Sequence, residues 1–140
     1  TVKALQEAES YPGPSLVIAY AHCIAHGYDM ADGANQQKLA VESGTWPLYR
    51  FDPRRLARGE SPLQLDSPPP KIPIENYMRN ENRFRMLERL GPERWRTLVD
   101  AAQKDVDSRS ALYQQLAALS PAGGGKTASE KEAVQTAEVT

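Results

Sequence analysis

The run Ser15-Leu16-Val17-Ile18-Ala19-Tyr20-Ala21 limits what this chain can fold into more than any other feature. It is apolar on both faces and stands between turn signals, with Tyr11-Pro12-Gly13-Pro14 before it and His22-Cys23-Ile24-Ala25-His26-Gly27 after it. A short apolar run bounded in this way predicts a strand buried on both sides in a parallel sheet. Such a strand needs a neighbour on each edge and helices on each face. The rest of the sequence offers one edge-strand candidate and two peripheral helices, so the core is expected to be incomplete without a partner. The expected class is α/β, with this chain a fragment of a larger sheet domain.

The flanking segments are easier to place. Val2 to Ser10 has helix-forming composition, with Leu5 and Ala8 on one side, and the Pro-Gly-Pro run stops it. A helix, a Gly-Pro turn and a buried strand make half of a βαβ unit. Gly33 to Ser43 suits a short helix closed by Gly44 in a left-handed cap. Trp46 to Phe51 alternates from Pro47 onward and reads as an edge strand.

Residues 52–73 hold six of the 11 prolines, including Pro68-Pro69-Pro70, and predict an extended surface connection. Ile74 to Leu90 reads as a helix with Tyr77, Phe84 and Leu87 on one face. Gly91-Pro92 ends it and starts the next, whose stripe is Trp95, Leu98, Val99, Ala102, Val106, Tyr113 and Leu116. Residues 1–119 are thus the structured part, with two C-terminal helices, and residues 120–140 are expected to be a disordered tail.

Composition removes several functions. Seventeen basic and 18 acidic residues give a net charge of -1, which leaves no field to gather nucleic acid or an acidic membrane surface. The longest apolar stretch is far shorter than the roughly 20 residues of a membrane-spanning helix. The opening Thr1-Val2-Lys3-Ala4 has neither initiator methionine nor signal features and reads as cut from something longer. A single cysteine cannot form an internal disulfide and fits a reduced, cytoplasmic setting.

Cys23 is the residue on which chemistry turns. It follows the C-terminal end of the predicted strand, and open α/β sheets place their sites outside those ends. Three readings stay open on the residues alone: inert packing, as for most free cysteines; a nucleophile; or a metal ligand. With His22 and His26 close by it could supply three of zinc's four ligands, although the spacing is unusual and no fourth Cys or His exists. The histidines themselves fit loop or hydrogen-bonding roles. Gly123-Gly124-Gly125-Lys126-Thr127 ends like a phosphate-binding loop but lacks its first glycine, a preceding strand and a following helix. Arg54, Arg55 and Arg58 stand near Glu60 and Asp66 and read as ordinary surface.

The segment Tyr11 to Gly27 resembles the end of the thiamine-diphosphate-binding domain of pyruvate:ferredoxin (flavodoxin) oxidoreductases. Asp29-Met30, Gln36 to Gly44, Trp46 to Arg50, and Tyr77-Met78-Arg79-Asn80-Glu81-Asn82-Arg83-Phe84 are similar to that family in order and spacing, over about residues 1–115. The resemblance implies that Cys23 is the isolated fourth ligand of a 4Fe-4S cluster, whose other three cysteines lie earlier in the domain. It implies oxidative decarboxylation of pyruvate with coenzyme A to acetyl-CoA and carbon dioxide, with electrons leaving through 4Fe-4S clusters to ferredoxin or flavodoxin. It also implies thiamine diphosphate and magnesium bound outside this chain, the rest of the parent polypeptide as a partner, and a homodimer. No thiamine or substrate residue is assigned. The competing expectation is a non-enzymatic α/β interaction module with a structural thiol.

Overall fold

The computed structural model describes residues 2–119; the expected tail at 120–140 lies outside them. The order is α1 (Val2–Glu9), α2 (Gly33–Glu42), β1 (Tyr49–Phe51), β2 (Leu63–Leu65), α3 (Ile74–Met78), α4 (Asn82–Leu90) and α5 (Pro92–Ala118), with 3-10 turns at Ile24–His26, Met30–Asp32 and Pro53–Arg58. The fold is mixed, mainly helical with one small sheet. Among the described residues no helix is long and apolar enough to cross a membrane.

The core is built by α2, α3 and α5. Ala40, Ile74, Tyr77, Met78, Trp95 and Val106 are buried, and Leu39, Trp46, Phe84, Val99 and Ala102 pack against them. The stripe expected on the last helix therefore faces inward at Trp95 and Val106, while Leu98 and Leu116 stay exposed. Pro92 starts α5 at its first turn, where a missing N–H costs nothing. Gly44 closes α2 as expected, at a φ of 74°. A side chain there would be strained and would also run into Pro70 and Val106.

Three expectations are corrected. The run Ser15 to Ala21 is extended but pairs with no strand, and Leu16, Val17 and Ile18 are exposed. The reason is the one that made it informative. A strand's N–H and C=O groups need another strand, and among the described residues β1 and β2 pair only with each other, antiparallel, Tyr49 opposite Leu65 and Phe51 opposite Leu63. No parallel sheet forms within these residues.

The connection at 52–73 is more than an extended arm. It contains β2 and a 3-10 turn over Pro53–Arg58, capped by the Asp52 carboxylate, which accepts from the Arg54 N–H at 2.9 Å. Arg54 pairs with Asp52, and Arg55 and Arg58 pair with Glu60, as expected of ordinary surface.

The helix expected over Ile74 to Leu90 is two helices. Arg79 to Glu81 interrupt it, with Glu81 in extended conformation at φ -105°, ψ 128°. Asn80 and Asn82 flank the break, and Asn side chains compete with helical hydrogen bonding.

Candidate functional site

Cys23 stands where the extended run meets a tight turn. Its backbone is extended at φ -133°, ψ 148°, and its carbonyl accepts from the His26 N–H at 3.0 Å. Gly27 closes the turn at φ 73°, donating to the Ile24 carbonyl at 3.0 Å. A Cβ at Gly27 would lie 2.7 Å from Asn82 Cβ, so only glycine lets the turn rest on the start of α4. The Asn82 N–H donates to the Gly27 carbonyl at 2.9 Å and completes that contact. The thiol is free and exposed.

The neighbouring rings point away from a shared metal. His22 packs against Gly33 and meets Tyr28 edge to face at 5.7 Å. His26 Nδ1 is buried and lies 3.9 Å from Glu81 Oε1. Burial pushes the Tyr28 phenol above its ordinary value, and the Glu81 charge adds to it. Among the described residues no three His, Cys, Asp or Glu side chains converge on one point, so the zinc arrangement of His22, Cys23 and His26 is not formed. What the geometry offers instead is one unengaged thiol on a fixed turn. That fits a single ligand to a group whose remaining ligands come from elsewhere.

Beneath the turn lies a polar network that the sequence reading did not single out. Glu81 is wholly buried. Gln36 Nε2 donates to Glu81 Oε1 at 2.9 Å and to the Tyr77 carbonyl at 3.2 Å. Asn80 Nδ2 donates to Gln36 Oε1 at 3.1 Å, and Arg83 Nε donates to Glu81 Oε2. The Tyr20 and Tyr77 hydroxyls share a hydrogen bond at 2.8 Å, and Tyr20 stacks on Trp46 at 5.2 Å. The extended run is thus anchored to the core at its end, just before His22 and Cys23. The legible signal was the pair of asparagines around Glu81, which argues against a continuous helix.

A second concave region, a cavity of about 700 Å³, lies between α1, the run Pro14 to Ile18, and residues 45–54. Its arginines are engaged. Arg50 is held by both oxygens of Glu7 and by Asp66 at 2.7 and 2.8 Å. Arg109 donates to the Gly44 and Thr45 carbonyls at 3.0 and 3.2 Å. Arg54 is paired with Asp52 and reaches the Ser10 carbonyl at 2.9 Å. With its cations committed to carboxylates and carbonyls, the cavity is not built to hold an anion.

No family model matches the chain. Its sequence is 53% identical to the pyruvate-flavodoxin oxidoreductase of Rhodospirillum rubrum over 130 residues, 93% of this chain and 11% of that protein. It is 41% identical to the pyruvate:ferredoxin oxidoreductase of Moorella thermoacetica over 116 residues, 83% of the chain and 10% of the relative. With the mitochondrial pyruvate dehydrogenase (NADP(+)) of Euglena gracilis it shares 39% over 117 residues, 82% of the chain and 6% of the relative. The chain spans about a tenth or less of the length of these curated relatives.

Proposed function

We propose, since this chain belongs to the pyruvate-flavodoxin and pyruvate:ferredoxin oxidoreductase family as the counterpart of about a tenth of its members' length, that it is the C-terminal part of the thiamine-diphosphate-binding domain of such an enzyme. In this reading Cys23 supplies one of four thiolates to a 4Fe-4S cluster. The whole enzyme converts pyruvate and coenzyme A to acetyl-CoA and carbon dioxide, and two one-electron acceptors are reduced. When bound, thiamine diphosphate supplies the carbanion chemistry and the cluster relays single electrons.

The observation that carries the reading is the free, exposed thiol of Cys23 on a turn pinned to α4. The residues of this chain have a limited set of tasks. Cys23 binds, the 24–27 turn orients it, and Ile24, 76% exposed in this chain, shields the neighbourhood from water. The exposed apolar run from Leu16 to Ile18 docks as a strand beside the parent polypeptide, which gives its backbone the partner that a buried strand requires. Relatives named for flavodoxin, for ferredoxin and for NADP(+) all match this segment.

The test is low-temperature EPR spin quantitation of the complete polypeptide under anaerobic reduction, with and without Cys23→Ser. Loss or alteration of one cluster signal with the others intact is the expected result. Identical spectra would leave Cys23 an exposed thiol with no cluster to bind.

A further inference from the structure

Among the described residues Glu81 is the only acidic side chain that is wholly buried. Burying a carboxylate is expensive unless each oxygen finds a donor. Here Oε1 accepts from Gln36 and Oε2 from Arg83, and the amide of Gln36 is itself fixed by Asn80. This expense lies in a helix break that a plain α-helical sequence would have avoided. What the break gains is visible on its other side: the residue after Glu81, Asn82, donates its N–H to the Gly27 carbonyl at 2.9 Å, and His26 Nδ1 packs 3.9 Å from Glu81 Oε1, too far for a hydrogen bond. Both contacts land on the turn that opens at Cys23.

We infer that Glu81 is a positioning residue for Cys23: its buried carboxylate, held by Gln36 and Arg83, fixes the helix break at which the Asn82 N–H ties the 24–27 turn to the start of α4, and so fixes where the thiolate is presented. The inference rests on the ligand reading proposed above. Residues that hold a metal ligand from behind tune both affinity and potential, because a ligand free to shift lets the metal environment relax between oxidation states. Glu81 does not touch the thiol and acts only through the helix break and the turn that Asn82 ties to it.

Two substitutions separate the ties. Glu81→Gln keeps the shape and one acceptor oxygen for Gln36 while removing the charge that faces Arg83 and His26. Asn82→Pro removes the N–H to Gly27 at the first position of α4, where proline is tolerated, and the extended backbone of Glu81 is the conformation a residue before proline prefers. The complete polypeptide, loaded with iron and sulfide anaerobically, is titrated reductively by EPR, and iron release to a chelator is followed beside it.

Each variant is expected to shift the line shape and midpoint of the one cluster signal that Cys23→Ser abolishes, leaving the others unmoved, and to speed release of its iron about tenfold. Line shape, midpoint and release rate unchanged in both variants, with Cys23→Ser still abolishing that signal, would overturn the positioning role and leave the ligand reading standing. Full retention of every cluster signal in Cys23→Ser would remove the ligand reading and the inference with it.

Discussion

The core made by α2, α3 and α5 and the run from Leu16 to Ile18 both read as buried in sequence and are opposite in outcome. Trp95 and Val106 are 3% and 2% exposed, whereas Leu16 and Ile18 are 83% and 65% exposed. The difference is one of hydrogen bonding before it is one of burial. A helix satisfies its N–H and C=O groups within its own length, so it can form first and pack afterwards. A strand is left with unpaired groups until another strand arrives. The helical core finds its partners within this chain; the run does not, and only Tyr20 at its end reaches the core.

The contrast is broken most directly at Trp95. Trp95→Ala removes the largest side chain of the core and is expected to destabilise the chain by about 3–5 kcal/mol, read from a denaturant midpoint. A loss below about 1 kcal/mol would mean that the helical core is no better closed than the run. Next in size is Gly44→Ala. It forces a left-handed backbone on a residue with a Cβ and drives that Cβ to 2.6 Å from Pro70 Cγ and 2.8 Å from Val106 Cγ1. An expected cost of about 1–3 kcal/mol should appear as a lower melting temperature. The matching change Gly27→Ala strains the Cys23 turn against Asn82 and should leave the core melting nearly where it was.

Legibility follows the same division. The helices at 2–9 and 33–42, the cap at Gly44, the Pro92 start and the inward positions Trp95 and Val106 were all readable, because propensity, periodicity and caps are local signals. The strand at 49–51 was readable, but its partner at 63–65 was hidden among prolines, and pairing is a non-local fact. The missing sheet around Leu16 to Ile18 follows from the same non-locality: a pattern can announce burial without saying what does the burying. Cys23 was singled out by position and resemblance. Glu81 was not, because its role depends on a helix break, and a charged residue inside an apparently helical stretch reads as solvated face until that break is seen.

A smaller effect separates α1 from both regions. Arg50 ties α1 to the sheet through Glu7 and Asp66, so Arg50→Ala should cost about 1 kcal/mol, seen as earlier hydrogen exchange in residues 2–9 with the core unchanged. The Arg50 guanidinium, through its hydrogen bonds, holds the Asp66 carboxyl below its ordinary value. A depressed carboxylate contributes stability that is complete above the unfolded value of about 4 and lost as pH falls through the lower folded one. Acid should therefore release Asp66 from Arg50, at the sheet, before it melts the core. Simultaneous loss of the sheet and the core on a pH titration would show that the Arg50–Asp66 pair does not hold the sheet.

The smallest expected effect is the most discriminating. Ile18→Asp places a charge on a side chain that is 65% exposed, so in this chain alone stability should change by no more than about 0.5 kcal/mol, the ordinary range for surface substitutions. In the complete polypeptide the same residue is proposed to lie within a sheet, where an unpaired carboxylate is severely destabilising. The measurement is the difference between the two settings: denaturant midpoints for the chain, and folded yield with cluster content for the whole protein. A large loss in both would mean that the run is already packed within these residues. No loss in either would mean that nothing covers it. Only a small change in the chain and a large one in the whole fits a strand whose partners lie in the rest of the polypeptide.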